Sequence, residues 1–347
     1  MTRYDVAIFG AGPAGAALAR ALRQRGRGVL LIAGQASSAR TFETLSSDVE
    51  RILGVMGIRE RFLRVRPRVC SERRSQWEAG PAVIRSALLD LGGRSFHVAR
   101  SRFDRMLLDA AKDSGAETAR PGRSVVVERL SAGWQIATPD GPVRARWIAD
   151  ATGRRARVLR ALGVKWRPVY HQVALIARAR AHTTDASLVV ESGEGGWWYS
   201  LPSGRDHRIV ALVAPRFRYR ENVRAPKRLL EHELARTTLV RELVIPESIE
   251  RPTARAASHG GAEQTVGDGW IAVGDAAMAP DPLSGQGVAH ALSSALEASE
   301  ELDAALDADT SGMLRLRQRH RERLEAHARA ARSFRSGNLL LNPEAGA

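Results

Sequence analysis

The sequence predicts an α/β fold: a Rossmann-type domain with an inserted, mostly antiparallel β domain and helices at the C-terminal end. The chain opens on a short apolar run, Val6 to Phe9, typical of a strand buried on both faces. A glycine-rich turn and an alanine-rich helical stretch follow it. From Val164 to Pro252 the chain consists instead of strand-like runs with one helix-like segment. Two helical stretches, Val288 to Leu306 and Met313 to Phe334, come last.

The glycine-rich turn reads GAGPAG from residue 10 to residue 15, a GxGxxG between a strand and a helix. In that context the motif binds dinucleotides, with the phosphates at the helix N-terminus, where unpaired N–H groups favour anions. The first glycine permits the tight turn, the second lets the backbone approach a pyrophosphate, and the third lets helix and strand pack closely. Taken alone, the motif also fits a turn that binds nothing. The predicted cofactor-binding residues here are Gly10, Gly12, Pro13, Ala14 and Gly15.

The second strand, Val29 to Ile32, lacks the acidic residue that usually follows it and bonds the adenosine ribose. Ala33 occupies that position, with Gly34 and Gln35 after it. Gln35 is the candidate for an uncharged hydrogen bond to a ribose hydroxyl. This departure from the usual pattern affects the expected affinity for a cofactor more than the expected identity of the cofactor.

Helix-like and strand-like patterns alternate through the rest of the chain. Helices are expected within Arg40 to Gly57 and from Arg100 to Gly115, where apolar residues recur at helical spacing. Trp77 to Val98 predicts a hairpin or two short strands, and Ser124 to Asp150 predicts a β-meander. Further strands are expected at Gln172–Ala179, Ser187–Glu191, Trp197–Leu201, Arg208–Ala214 and Trp270–Val273, and a helix at Pro226–Leu239.

Composition narrows the class of protein. The 347 residues carry a net charge of +15, and all but three of the basic residues are arginine. We attribute this to a coding bias rather than to nucleic-acid binding, because the arginines are spread along the chain without a recognisable nucleic-acid module. No apolar run approaches a membrane span, and the early first strand leaves no room for a signal peptide. Cys70 is the sole cysteine, so we expect a cytoplasmic protein without disulfides or a metal site.

Two later motifs join the glycine turn in a fixed order. ADATGRR spans Ala149 to Arg155 at a strand end, and GDAAMAPDPLSGQG spans Gly274 to Gly287. Together the three resemble the FAD-dependent monooxygenase superfamily, which includes para-hydroxybenzoate hydroxylase-type enzymes, geranylgeranyl reductases and flavin-dependent tryptophan halogenases. The resemblance covers nearly the whole chain. It implies a GR2-like FAD-binding domain of residues 1–70, 98–163 and 252–310, a substrate domain of residues 71–97 and 164–251, and a C-terminal helix and tail over 311–347.

The resemblance also assigns roles in the third motif. Asp275 accepts hydrogen bonds from ribityl or ribose hydroxyls, which suits a carboxylate. Backbone N–H groups at the start of the following helix face the N1–C2=O edge of the flavin and stabilise the negative charge of its reduced form. Met278 stands where the family often has histidine. The cofactor-binding residues implied here are Gly274, Asp275, Pro282, Gly285, Gln286 and Gly287.

Three more positions match the family outside these motifs. RSRFD, from Arg100 to Asp104, resembles the start of a helix whose arginine reaches FAD; Arg100 is preferred to Arg102 for that role. Arg40 and Glu43 fall in the loop over the pyrophosphate and flavin. Val125 matches a strand position whose backbone meets the adenine.

Two details resemble the halogenase-like branch of the superfamily: Ser75-Gln76-Trp77, and WWYSLP from Trp197 to Pro202, close to the halogenases' W-x-W-x-I-P. Halogenases also place an essential lysine before the substrate region, whereas this chain has no lysine before Lys112. Halogenation is therefore disfavoured. The same branch includes flavoproteins that oxidise a tryptophan of a partner protein during quinone-cofactor maturation. Candidates for an aromatic substrate pocket are Trp77, Trp197, Trp198, Tyr199 and Pro282, with core packing as the alternative for each aromatic ring.

These observations predict an FAD-dependent oxidoreductase, foremost a monooxygenase. In such enzymes reduced FAD and O₂ form a C4a-hydroperoxide that hydroxylates an aromatic or electron-rich substrate, either a small molecule or one bound to a carrier or protein. A single GxGxxG indicates no separate nicotinamide domain, so NAD(P)H binds transiently or a flavin reductase supplies electrons. The alternatives are a dehydrogenase or reductase without oxygen insertion, oxidation of a protein-bound tryptophan, and a non-catalytic flavin-binding protein, which Ala33 alone supports.

Overall fold

The structure, a computed structural model, describes residues 3–34, 41–77, 80–86, 93–193, 195–220 and 225–336. The helices are α1 (Pro13–Gln24), α2 (Ser47–Val55), α3 (Arg59–Arg64), α4 (Arg100–Asp113), α5 (Arg157–Ala161), α6 (Arg216–Arg220), α7 (Pro226–Leu234), α8 (Leu239–Glu242), α9 (Gly287–Leu306) and α10 (Ser311–Ser336). The strands of the first half are β1 (Arg3–Phe9), β2 (Val29–Ile32), β3 (Phe42–Leu45), β4 (Arg68–Val69), β5 (Glu72–Gln76), β6 (Val83–Ser86), β7 (Phe96–Ala99), β8 (Glu117–Ala119), β9 (Val127–Leu130), β10 (Gly133–Thr138) and β11 (Gly141–Asp150). Those of the second half are β12 (Trp166–Pro168), β13 (Gln172–Arg180), β14 (Leu188–Gly193), β15 (Gly196–Pro202), β16 (His207–Pro215), β17 (Thr253–Ala256), β18 (Gly260–Ala262), β19 (Val266–Gly267), β20 (Trp270–Ala272) and β21 (Met278–Ala279).

A mostly parallel sheet forms the Rossmann-type part of the fold. Its parallel strands run in the order β20-β11-β1-β2-β8, and β19 pairs antiparallel with β20 at one edge. Strands β9, β10 and β11 form the predicted meander. In the register of the central strands, Phe9 lies beside Asp150, and Asp150 lies beside Ala272. The ends of β1, β11 and β20, which carry the three sequence motifs, therefore meet at one edge of the sheet.

Apolar residues cover both faces of this sheet, which explains why β1 is apolar without alternation. On one face α1, α4 and α9 pack together through residues such as Leu18, Phe103 and Leu292. On the other face Trp134 and Leu159 belong to a second core cluster. The small residues of α1, including Ala16, Ala17 and Ala19, are fully buried, so this helix lies close to its neighbours.

The second large sheet has seven strands in the order β17-β13-β16-β15-β14-β5-β6. All neighbouring pairs are antiparallel except β14 and β5, so the prediction of a mostly antiparallel sheet is confirmed. Strand β6 pairs with β5, whereas β7 joins β3 and β4 in a separate small sheet. Helices α7 and α8 cover one face through Leu230, Leu234 and Val240. The predicted helix from Pro226 is shorter than expected and ends at Leu234.

The arginine-rich helix α10 packs against α9 through ion pairs. Arg319 lies 2.8 Å from Glu301, and Arg323 lies 2.6 Å from Glu297. Two arginines of this helix thus face acidic residues of α9 rather than solvent alone. Within the described part of the chain, none of the helices has the length and apolar character that crossing a membrane requires.

Three buried histidines are neutral at ordinary pH. His97 bonds Thr44 Oγ1 at 2.8 Å and the Ala186 carbonyl at 2.9 Å. His290 and His320 are buried between α9 and α10, where neither ring nitrogen of His320 has a hydrogen-bond partner among the described residues. Burial lowers the pKa of each of the three to about 4.

These histidines predict a loss of stability in mild acid. The unfolded chain takes up protons near its ordinary histidine pKa of about 6.5, whereas the folded chain does so only near 4. Their stabilising contribution is therefore complete above pH 6.5 and disappears as the pH falls toward 4. We expect about 2 kcal/mol of lost unfolding free energy per histidine between pH 7.5 and pH 5, measured by urea unfolding.

A matched pair of variants tests the assignment. His320→Leu removes one of the three buried groups and is expected to reduce the acid loss by about 2 kcal/mol. His182→Gln, at an exposed position, is expected to leave it unchanged. An acid loss in His320→Leu equal to that of the parent protein would contradict the assignment.

Candidate active site

One large cavity, of about 920 Å³, lies where the ends of the parallel strands meet the seven-stranded sheet. Residues from both parts of the fold line it. On the Rossmann side these include Gly10, Gly12, Pro13, Ala14, Arg100, Val125, Asp275, Pro282, Gly285 and Gly287. On the side of the seven-stranded sheet they include Ala174, Ile176, Leu188, Val190, Trp197, Tyr199, Leu201 and Val213.

The glycine turn at the end of β1 is tightly packed at two of its positions and open at the third. Gly10 has a φ of 106°, and a Cβ there would lie 2.4 Å from the Ala151 carbonyl oxygen. A Cβ on Gly15 would lie 1.9 Å from the Gly10 oxygen. A Cβ on Gly12 would meet nothing within 4 Å, and Gly12 lines the cavity. Gly10 and Gly15 thus serve packing, while Gly12 leaves room beside the N-terminus of α1.

Asp150 holds the second motif in place. Its Oδ1 accepts hydrogen bonds from the N–H and hydroxyl of Thr152 at 2.9 and 2.7 Å, and its Oδ2 accepts from the N–H groups of Val158 and Leu159, both at 2.9 Å. The side chain is fully buried. This carboxylate therefore ties the loop that follows β11, which lines the cavity, to the first turn of α5.

The third motif brings Asp275 to the cavity from the end of β20. The preceding Gly274 has a φ of 58°, and a Cβ there would lie 2.7 Å from the Ala14 Cβ. The Asp275 carboxylate lies 2.8 Å from the Arg154 guanidinium. Burial raises the pKa of Asp275, and the positive charge of Arg154 opposes that effect. Arg154 is also fixed by donating to the Ser258 carbonyl at 3.1 Å.

The start of α9 presents backbone rather than side chains to the cavity. A Cβ on either Gly285 or Gly287 would meet nothing within 4 Å. Asp281 caps the short 3₁₀ turn at Pro282 by accepting from the Leu283 N–H at 3.0 Å. The Gln286 carbonyl accepts from the His290 N–H at 2.8 Å, so Gln286 acts as the N-cap of α9, and it is not among the residues that line the cavity.

Arg100, the first residue of α4, lies between two carboxylates. Its guanidinium donates to Glu43 of β3 and, at 3.1 Å, to Asp104 of the next helical turn. All three line the cavity. Burial raises the pKa of Asp104, while Arg100 lowers it.

The seven-stranded sheet contributes an apolar wall with two aromatic rings. The Trp197 and Tyr199 rings lie 5.8 Å apart and project from the same face of β15. Trp198 points to the opposite face, into the core beneath α7 and α8, and Trp77 packs against the cluster around Trp197. Burial raises the pKa of Tyr199 well above its usual range, so its hydroxyl stays protonated.

Comparison with known proteins identifies the family. A protein-family sequence model described as an FAD binding domain matches residues 3–341 of this chain. The chain belongs to this FAD-binding family. It is accordingly an FAD-dependent enzyme of the oxidoreductase class, as predicted.

Similar proteins span several activities. LodB of Marinomonas mediterranea, which is named as an FAD-dependent oxidoreductase, is 25% identical over an alignment of 316 residues that covers 87% of this chain and 85% of LodB. The peptidyl tryptophan dihydroxylase QhpG is 26% identical with a TM-score of 0.78, over 99% of this chain and 77% of QhpG. The flavin-dependent halogenase CmlS shares the fold with a TM-score of 0.85 at 22% identity, and the match covers 99% of this chain but 66% of CmlS.

The residues that line the cavity fit FAD. Four of its glycines, at positions 12, 153, 285 and 287, have open space where a Cβ would lie, as close approach of a ligand to backbone requires. Asp275 adds a carboxylate at the same edge. Within the described residues, no group of three or more side chains suits a metal ion.

Most of the candidates from the sequence come together around this cavity, but not all can be located there. Gly15, Gly274 and Gln286 support the cavity without lining it, and the pocket candidates Trp77 and Trp198 are not among its lining residues either. Gln35 and Arg40 lie outside the described residues. Sequence reasoning missed Asp150 and Arg154, although both stand within its second motif; an aspartate two residues before a threonine at a strand end is the signal that could have indicated an anchoring carboxylate.

Two glycine variants separate packing from cofactor binding. Gly15→Ala is expected to lower the free energy of unfolding by about 1–3 kcal/mol, because its Cβ overlaps the Gly10 carbonyl. Gly12→Ala, at the N-cap of α1, is expected to lower the free energy of unfolding by about 1 kcal/mol or less and to weaken FAD binding about tenfold or more, because its methyl group enters the cavity. Urea unfolding and FAD titration measure the two effects; equal FAD affinities of parent and Gly12→Ala would contradict this.

Asp150→Asn tests the buried anchor. Both oxygens of the carboxylate accept hydrogen bonds, whereas the asparagine amide has only one acceptor oxygen and would leave some donors unpaired. We therefore expect a loss of about 2–3 kcal/mol in the free energy of unfolding. Asp140→Asn is the control, since its side chain is 58% exposed and the change is expected to cost under about 0.5 kcal/mol. Similar stabilities for the two variants would count against the anchoring role.

Proposed function

We propose that the protein is an FAD-dependent monooxygenase that inserts oxygen into an electron-rich aromatic substrate. The observation that carries the proposal is the single cavity in which the glycine turn and Asp275 share one space with Trp197 and Tyr199. A cofactor held on the Rossmann side would thus face an apolar, aromatic wall without intervening protein. We also propose that residues 71–97 and 164–251 act as the substrate domain.

Several residues on the Rossmann side of the cavity have a proposed role in binding FAD. Gly12, Pro13 and Ala14 at the N-terminus of α1 would receive the pyrophosphate. Asp275, oriented by Arg154 at 2.8 Å, would accept hydrogen bonds from ribityl or ribose hydroxyls. Val125 would lie at the adenine. When bound, FAD supplies the two-electron chemistry and the activation of oxygen.

The start of α9 has a proposed electrostatic task. Its backbone N–H groups are freely approached over Gly285 and Gly287, and they would stabilise negative charge that develops on the flavin ring. Opposite, the wall of aliphatic and aromatic side chains would orient the substrate ring and exclude water. The electron donor is NAD(P)H or a separate flavin reductase.

A second candidate is the oxidation of a tryptophan within a partner protein. The likeness to QhpG, at 26% identity over 99% of this chain, favours it. The chemistry would be the same insertion of oxygen into an electron-rich ring, so the two proposals differ in the size of the substrate.

Halogenation and oxygen-free redox chemistry are the less favoured activities. The sequence has three lysines, and none is among the described residues that line the cavity. A reductase without oxygen insertion would use the same FAD site. Isotope labelling of the product distinguishes that activity from a monooxygenase.

The test combines spectroscopy with isotope labelling. We expect the purified protein to bind FAD with a flavin absorption spectrum, and the flavin to be bleached anaerobically by NADPH or NADH, or by a flavin reductase. Turnover under ¹⁸O₂ with an aromatic substrate is expected to give labelled product. Failure to bind FAD would refute the proposal, and unlabelled oxidised product would favour a dehydrogenase instead.

A further inference from the structure

Glu43 of β3 lies on the border between the two sides of the cavity. Strand β3 pairs with β7 and also packs beside β15 of the aromatic wall. The Glu43 side chain lines the cavity and is 37% exposed. Its Oε2 accepts from Arg100 Nη1, whereas its Oε1 has no hydrogen-bond partner within the residues that the structure describes. One carboxylate oxygen is thus left for a ligand.

The surroundings of Arg100 fix the direction of this carboxylate. Asp104 holds the guanidinium from the other side, with Nε and Nη2 at 3.2 and 3.1 Å from Asp104 Oδ1. Two carboxylates therefore share one guanidinium, and the three groups carry a formal charge of −1. This group attracts a hydrogen-bond donor more than it attracts an anion.

Glu43 acts on both sides of the cavity. Its negative charge raises the pKa of Tyr199 on the aromatic wall, after burial as the larger cause. The same charge contributes to the raised pKa of Asp275 on the cofactor side, where burial is again the main cause. Glu43 is therefore within electrostatic reach of the positions proposed for both the substrate and the flavin.

The wall opposite is mainly aliphatic, and the Tyr199 hydroxyl is a polar group on it. Ala174, Ile176, Val190 and Val213 present aliphatic groups, and the Tyr199 hydroxyl has no hydrogen-bond partner among the described residues. A substrate without a donor would cover Glu43 Oε1 and leave it desolvated and unpaired, which is costly for a charged group. A site built in this way rejects analogues that lack the matching polar group.

We propose that Glu43 selects aromatic substrates that carry an O–H or N–H group, which donates to Glu43 Oε1. The inference rests on the proposed function and deepens it by naming the substrate class. Glu43 is in this view a specificity-determining residue: it holds the donor and so sets which ring atom faces the flavin.

Matched pairs of small probes test this selection in the full chain. Phenol is compared with anisole, and indole with 1-methylindole, because methylation removes the donor and preserves the ring. Isothermal titration calorimetry measures each dissociation constant with and without bound FAD. We expect the donor compounds to bind about 10- to 100-fold more tightly than their methylated partners.

Two variants assign the preference to one carboxylate. In Glu43→Gln the amide oxygen is needed by Arg100, so the NH₂ group faces the cavity and cannot accept; the preference is expected to fall to about threefold or less. Asp104→Asn removes the other carboxylate on Arg100 and is expected to keep the preference. FAD titration of both variants monitors the cofactor site separately.

Several outcomes would overturn the inference. These are equal affinities within each pair of probes, an undiminished preference in Glu43→Gln, a preference lost equally in Asp104→Asn, and no measurable binding of any probe to a protein that binds FAD. A wild-type protein that fails to bind FAD would refute the proposed function instead, while the probe comparison on the FAD-free chain would still decide the role of Glu43.

Discussion

The arrangement of the whole site depends on the buried carboxylate of Asp150. It ends the central strand β11, so its backbone is flanked by Phe9 of β1 and Ala272 of β20. Its side chain accepts four hydrogen bonds from the loop and helix that follow. A buried carboxylate is costly unless its oxygens are bonded in this way. The loop after β11 is thereby held against Gly10, and it brings Arg154 to Asp275.

A second constraint comes from the seven-stranded sheet, which turns an open strand edge into an enclosed cavity. Ligands of parallel sheets bind beyond the carboxyl ends of the strands, and here Trp197 and Tyr199 close that crevice from the far side. The small sheet that contains β3 links the two parts, because His97 of β7 bonds both Thr44 and the Ala186 carbonyl. Glu43 is held in position by this linkage.

The features that the sequence predicts well are local in the chain. The strand, glycine turn and helix from Val6 to Leu22 are specified by neighbouring residues, as is the Gly274-Asp275 turn. Pairings over long separations are less accessible: β5 pairs in parallel with β14, and no nearby residue encodes that register. The same holds for Glu43, whose partner Arg100 lies 57 positions away. It also holds for the ion pairs that join α9 and α10.

Charge pairing explains why a chain with a net charge of +15 does not present a simple basic cavity. The charge of Arg154 is balanced by that of Asp275. The single positive charge of Arg100 is outnumbered by the two carboxylates that bind it. Farther away, Arg319 and Arg323 face glutamates of α9. Partly buried pairs are screened less than exposed charges, and Arg155, Arg157 and Arg255 also line the cavity. The electrostatics of the site therefore depend on where its individual carboxylates and arginines lie and not on the overall charge.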